Sequence, residues 1–434
     1  MILTKELSQV TLEKSEENVT GKTGLSFVYH CLKDFGLEDS ICEKFSRASK
    51  KSNREISPEK KIIASCLSSV AGGERVSDIE ILRSDKAFLG SIGWDSMVSP
   101  DALHEWMGNA RNGARTRQVI EAVSLETMKR SALTEFIYDN DAMYYESDKD
   151  SAAYSYHKTR EFSGLLGFLP ELGICNTVDF RPGNISPCTG IFNQLRKANE
   201  QAKSIEKKIS ACRLDSAGHQ EAIFNYCNLE KIRFFISLRK TSAVNDVITA
   251  IDEDKWSPLS KNDHQQKTDV EWAENVYVCG KSEAMRVLIL RWKKPKPTLF
   301  EQDQYCYHVI ATNDEKIKPM DWLKFHNGRM GSENYNKELK YGYAADYSPS
   351  HDFNQNRTWF LLKILAYNMV EIMKLFYLGK KRNNWNIKQL RYKFIHVCGR
   401  IVQHARSTVW RILNVTDQGF NLYRSCQSSI VLQT

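Results

Sequence analysis

Residues 133–145 read LTEFIYDNDAMYY, a stretch in which Phe, Ile, Met and Tyr surround two aspartates. Aromatic and β-branched residues at this density predict a β-strand. Side chains two apart on a strand share a face, so Asp139 and Asp141 lie on one side together with the apolar Ile137. Both carboxylates fall where the strand nears its end, and strand ends are where α/β sheets hold their chemistry.

The segments that follow define the fold class. AAYSYHK (152–158) and GFLPELGICNTVDF (167–180) predict two further strands that end at the turn RPGN (181–184). A polar helix over roughly 190–208 leads into KISACRLDSAGHQEAIFNYC (208–227), which reads as a strand, a turn and a helix before the strand IRFFISL (232–238). Strands first, then strands alternating with helices, predict a mixed α/β sheet. Between 240 and 312 the rhythm changes. VITAID, NVYVCG, MRVLILRWKK and QYCYHVIAT suggest antiparallel strands of a β-rich insertion, with a turn at KPKP (294–297). Upstream, after a polar tail of about twenty residues, the pattern is helical. SPEKKIIASCLSSVAGG has Ser57 as a cap, Pro58 in the first turn, and Gly72 and Gly73 as a stop, and SPDALHEWMGNA repeats the Ser-Pro start. Helices return from about 319 to 413. The expected division is therefore 1–130, a helical DNA-binding or dimerisation region; 131–239, the first part of the core; 240–312, the insertion; 313–345, a helix that completes the core; and 346–434, a helical, basic C-terminal region.

The 434 residues can bury a large core, and 41% hydrophobic content fits a globular chain. Sixty-one Lys and Arg against 53 Asp and Glu give a net charge of +8, which leans towards an anionic partner. Eleven scattered cysteines form no zinc-binding spacing and read as thiols of a reducing compartment. The most apolar run, WFLLKILAYNMVEIMKLFYL, is interrupted by Lys363, Asn368, Glu371 and Lys374, which marks a core helix rather than a membrane span. The N-terminus has acidic residues early and lacks the apolar core of a signal peptide. An intracellular protein is the expectation.

Three carboxylates stand out. Asp215 follows an apolar strand in CRLDSAGH, and Glu333 lies in HNGRMGSENYNKELK, where Arg329, Glu333 and Lys340 at spacings of four and seven form one helical stripe. Carboxylates converging from two strand ends and a helix would make an oxygen-only site for Mg²⁺ or Mn²⁺. Ordinary roles remain open at this point: Asp139 and Asp141 as turn residues, Asp215 as a helix cap, Glu333 as part of a solvated face.

The contexts of these carboxylates narrow the choice. YDNDAM resembles the first-aspartate strand of bacterial insertion-sequence transposases of the DDE class. CRLDSAGH is similar to their second-aspartate motif, and HNGRMGSENYNKELK resembles their Tyr-x2-Arg-x3-Glu-x6-Lys signature. RPGN, the helix WFLLKILAYN and the order of elements also match, over about residues 20–412. Three departures stand out: His326 occupies the signature Tyr position, Met143 stands where Thr is usual, and SAGH replaces Ser-Gly-Phe. The resemblance implies a ribonuclease-H-like core in which Asp141, Asp215 and Glu333 hold two Mg²⁺ or Mn²⁺ ions. Asp141 is preferred to Asp139 because the family's aspartate directly precedes a small residue, here Ala142. It further implies phosphate contacts by Arg329 and Lys340, with His326 able to donate to a phosphate.

The segment from 380 to 413 carries nine Lys or Arg and no Asp or Glu, with Arg391 and Lys393 among them, and predicts a further phosphate-binding surface. Trp256, Trp272 and Trp292 of the insertion read as core, with a base-stacking role as the resemblance's alternative. The implied activity is cleavage at element ends and transfer of the freed 3′-hydroxyl into target DNA. Double-stranded DNA would be the partner, a homodimer the synaptic form, and the bacterial cytoplasm or nucleoid the location. Two other readings stay open: a nuclease with the same core but no strand transfer, and a non-catalytic DNA-binding protein descended from a transposase.

Overall fold

The computed structural model describes residues 13, 17–45, 55–259, 269–294, 304–379, 384–404 and 407–431. A short strand, β1 (Val19–Thr20), precedes seven helices: α1 (Thr23–Asp34), α2 (Leu37–Phe45), α3 (Pro58–Val70), α4 (Ile79–Arg83), α5 (Lys86–Ser91), α6 (Pro100–Met107) and α7 (Ala110–Arg130). Their starts follow local chemistry. Pro58 and Pro100 sit in first turns, the Ser99 hydroxyl accepts from the Ala102 amide, and the Asn109 side chain accepts from the Arg111 amide.

The chain then builds a mixed sheet. β2 (Glu135–Glu146) is followed by the two-residue β3 (Ala153–Tyr154), β4 (Arg160–Leu169) and β5 (Ile174–Pro182). α8 (Ile191–Lys203) leads to β6 (Lys208–Leu214), and α9 (Glu221–Glu230) leads to β7 (Arg233–Ser237). β5, β4 and β2 pair antiparallel in that order, and β2, β6 and β7 pair parallel. β2 is therefore central, and it runs six residues beyond the point where β6 ends opposite Asn140, so Asp139 and Asp141 lie in mid-strand rather than near the strand's end as expected. Helices α8 and α9 pack apolar residues such as Leu195, Ala198, Ile223 and Phe224 into a core shared with the sheet.

Some elements differ from the sequence expectation. VITAID does not form a strand: α10 (Ser242–Thr249) begins with the Thr241 hydroxyl accepting from the Val244 amide, and it buries Val244 and Ile248 at helical spacing. After β8 (Ser257–Pro258), β9 (Val270–Tyr277), β10 (Met285–Lys293) and β11 (Tyr305–Thr312) pair antiparallel. They extend the same sheet, because β11 pairs with β7. Most of KPKP lies outside the described residues. GFLPELGICNTVDF breaks into two strands at Pro170–Gly173, where Gly173 takes φ +68. AAYSYHK contributes only β3 before turning.

Helices α11 (Pro319–Asn327), α12 (Met330–Tyr343) and α13 (Phe353–Met373) follow. α13 is buried on nearly every face and continues into a π-type turn over Lys374–Leu378. It packs on β5 and on α3 and α7, so the helices of residues 1–130 share one core with the C-terminal half instead of standing as a separate module. After α14 (Ile387–Leu390), the region expected to be helical forms a hairpin of β12 (Gly399–His404) and β13 (Ser407–Ile412) before α15 (Asp417–Val431). β12 also pairs with β1, which places part of the expected N-terminal tail in a three-stranded sheet. The β-branched residues of GRIVQH and STVWRI favour this pairing.

One buried contact ties the layers together. Asn368 of α13 accepts from the Cys175 amide at 2.9 Å and donates to the Cys175 carbonyl at 2.8 Å, satisfying backbone groups on the outer edge of β5. Replacing Asn368 with Leu strands both groups, and we expect a loss of ~2–5 kcal/mol in urea unfolding, with Asn368→Gln milder.

Candidate active site

Asp141 and Asp215 are neighbours because of strand register. Asp139 of β2 lies directly opposite Arg213 of β6. Asp141 is two residues beyond Asp139, and Asp215 two beyond Arg213, so Asp141 within β2 and Asp215 just past the end of β6 stand side by side. Both line one open cleft of about 530 Å³, with RPGN residues Gly183 and Asn184 and with Arg239 on its walls.

The register is fixed by a buried ion pair. Arg213 donates Nε to Asp139 Oδ1 at 2.7 Å and Nη2 to Oδ2 at 2.6 Å, and its Nη1 reaches the Phe325 carbonyl at 3.2 Å. Arg213 is 6% exposed and Asp139 fully buried. Asp139 is thereby committed to a fork-like pair, which leaves Asp141 as the carboxylate that opens to the cleft. Arg213 carried no flag in the sequence beyond its place in CRLD. A Cβ at Gly328 would fall 2.0 Å from Arg213 Nη1, so that glycine in the α11–α12 connection is a packing requirement.

α12 lays one stripe along β2. Arg329 precedes its first turn, Glu333 lies in that turn, and Asn336 and Lys340 follow on the same side. Arg329 Nη1 is 3.9 Å from Asp141 Oδ1, Asn336 Nδ2 donates to Asp141 Oδ2 at 3.0 Å, and Lys340 Nζ donates to the Tyr144 carbonyl at 2.7 Å. Asn336 was not singled out in the sequence, although its spacing of three from Glu333 places it on the stripe. Burial, with the nearby charges of Asp215 and Glu333, pushes the Asp141 carboxyl up to about 6 against the opposing pull of Arg329. The three carboxylates are thus close enough to feel one another. They are not gathered at ligand spacing: among the described residues no trio of His, Cys, Asp or Glu is grouped to hold a metal ion. The contacts explain why. Asp141 is held by Asn336, Arg329 and the Ala142 amide, Asp215 Oδ1 accepts from the Ala217 amide, and Glu333 is exposed outside the cleft lining.

Other sequence candidates are placed differently. His326 is buried, with Nε2 3.1 Å from the Ser237 hydroxyl, and burial with His308 and Arg329 nearby drives it down to about 3. A neutral, inward ring is poorly placed to meet a phosphate. Arg391 turns inward, donating to the carbonyls of Val70, Ser69 and Gly342 at 2.8, 2.7 and 2.7 Å. It braces α3 against α12, contrary to the expected phosphate contact. Lys393 is exposed beside Trp385. Lys380, Lys381 and Arg382 of the basic run lie outside the described residues. His219 is bonded to the Tyr277 hydroxyl and the Arg239 amide, and burial lowers it to about 4. Trp256 stacks against the Arg291 guanidinium, 4.1 Å from the ring centre.

The family profile described as Transposase DDE domain group 1 matches residues 4–425, and the chain belongs to that family. No curated protein matches it. Among solved structures it is similar to a piggyBac transposase synaptic complex with hairpin DNA, at 12% identity, with 93% of this chain and 82% of that one covered and a TM-score of 0.45. Among the described residues no helix is long and apolar enough to cross a membrane.

Two predictions separate the aspartates. Asp139→Ala leaves Arg213 buried without a partner and costs ~3–5 kcal/mol in denaturant unfolding. Asp141→Asn does the reverse without divalent ions. A carboxyl held near 6 in the folded chain and near 4 when unfolded loses stability as pH rises from about 4 to about 6. We therefore expect Asp141→Asn to exceed the wild type by roughly 3 kcal/mol at about pH 7 and to match it near pH 4, measured by chemical denaturation in EDTA.

Proposed function

We propose that this protein is a DNA transposase whose core is ribonuclease-H-like, cutting at the ends of an insertion sequence and joining the freed 3′-hydroxyl to target DNA. The observation that carries this reading is the pairing in one cleft of Asp141, within the central strand β2, and Asp215, just past the end of the adjacent parallel strand β6, with the Arg329–Glu333–Lys340 stripe of α12 alongside. Membership of the transposase family supports it. The strand order β5-β4-β2-β6-β7, antiparallel on one side of β2 and parallel on the other, supports the ribonuclease-H-like assignment.

Asp141, Asp215 and Glu333 are the proposed holders of Mg²⁺ or Mn²⁺. The donor set fits hard cations, and the Asp141 carboxyl, raised mainly by burial and further by the charges of Asp215 and Glu333, would be favoured in its charged form by a bound cation. Two such ions would supply activation of the attacking hydroxyl and neutralisation of the leaving oxygen. Asn336 orients Asp141 through Oδ2. Arg329, exchanging its present contact with Asp141 for a phosphate oxygen, and Lys340 would grip the DNA backbone beside the cut. Glu333, in the exposed first turn of α12, completes the set by turning inward. Lys393 adds backbone contact at a distance, whereas Arg391 supports the fold. Double-stranded DNA is the partner, a homodimer the synaptic unit, and the bacterial cytoplasm, at the nucleoid, the setting.

The test uses DNA carrying the repeats that flank the gene. The wild type should cut in Mg²⁺ or Mn²⁺ and join precut ends to a plasmid, and Asp215→Ala should lower both by ~10³-fold or more, about 4 kcal/mol of barrier. Cleavage that survives Asp215→Ala overturns the site. Cleavage without joining replaces the transposase reading with that of a nuclease.

A further inference from the structure

The turn after β3 carries an aromatic group that the catalytic reading leaves unused. Tyr156 is 64% exposed and lines the same cleft as Asp141 and Asp215. Its ring stands edge-on to Tyr144, at 5.4 Å and 82°, and lies 3.9 Å from the His157 ring. Tyr144 is itself fixed, its hydroxyl donating to the Ile185 carbonyl at 3.2 Å.

The turn that presents Tyr156 is tightly held. The Ser155 amide donates to the Thr159 carbonyl at 2.9 Å and the Lys158 amide to the Ser155 carbonyl at 3.1 Å, with Lys158 at φ +65. His157 Nδ1 sits 2.9 Å from an oxygen of the buried Glu161, and its amide donates to the Ser155 hydroxyl. Such pinning holds an apolar ring in solvent at the mouth of a charged cleft without hiding it, and a rigid ring loses little entropy on meeting a ligand. Arg239 lines the same cleft. A flat apolar face and the Arg239 cation around about 530 Å³ match a nucleotide, a base for the ring and a phosphate for the arginine, with Asp141 and Asp215 meeting that phosphate through the divalent ions of the proposed function.

We propose that Tyr156 is a stacking platform for an unpaired base next to the phosphate handled at Asp141 and Asp215, making it a positioning residue that favours frayed or single-stranded DNA over intact duplex at the cleft. This rests on the DNA-processing reading of the site. The hydroxyl is dispensable, since stacking uses the ring face.

The experiment measures binding of the full chain, in Ca²⁺, to a fluorescein-labelled duplex with a short unpaired 3′ overhang and to its blunt counterpart, by anisotropy. The wild type should prefer the overhang DNA, and Tyr156→Ala should lower that preference ~10-fold, the loss of one stacked base. Tyr156→Phe should keep it. Tyr154→Ala removes another exposed tyrosine of the same hairpin, 70% exposed and outside this cleft's lining, and should also keep it. An undiminished preference in Tyr156→Ala overturns the proposal, as does its loss in Tyr156→Phe or an equal loss in Tyr154→Ala. Failure of every variant, wild type included, to bind either DNA overturns the DNA-processing reading along with it.

Discussion

The Asp139–Arg213 ion pair is the contact on which the site depends. It spans the two parallel strands β2 and β6 at directly opposed residues, in surroundings that exclude water. A slip of one residue would turn each side chain to the other face of the sheet and bury an unpaired charge. The pair therefore does more for register than for net stability, since desolvation cancels much of its attraction. With the register fixed, Asp141 and Asp215 emerge side by side from the sheet. The same guanidinium reaches the Phe325 carbonyl and packs against Gly328, which ties the connection between α11 and α12 to the sheet.

The site combines order and tension. Asp141 accepts hydrogen bonds from Asn336 and the Ala142 amide and lies beside Arg329, yet its carboxyl remains raised because burial and two neighbouring carboxylates outweigh those partners. A cluster of this kind stabilises the fold poorly when empty of cations and favours whatever brings positive charge. Functional sites commonly hold such strain while the surrounding core supplies the stability. Here that core is large and continuous, running from α1 through α13 to α15.

Much of this was legible in the sequence, for reasons that can be named. The strands that carry Asp141 and lead to Asp215 start where LTEFIYDND and KISACRLD suggest, although β2 runs on through Glu146 instead of ending near its aspartates. The stripe of α12 follows from helical spacing alone. What was not legible depends on partners distant in sequence. Asp139 and Asp141 look equivalent in YDNDAM until Arg213, 74 residues on, claims one of them. Arg391 looks like part of a basic surface until three carbonyls from α3 and α12 surround it. The hairpin of β12 and β13 is stabilised in part by β1, almost 380 residues earlier, and no local pattern reports that pairing. VITAID is ambiguous as a short apolar run, and the Thr241 cap decides it.

Asp141 and Asp215, set side by side by one buried register pair, with the Asp141 carboxyl raised by burial and by its neighbours, should bind a divalent ion, and direct ion binding examines that without any assumption about DNA sequence. Mn²⁺ titration followed by electron paramagnetic resonance should show saturable binding to the wild type that is lost in Asp141→Asn and Asp215→Asn and weakened in Glu333→Gln. Binding that is unchanged in both aspartate variants would contradict the account.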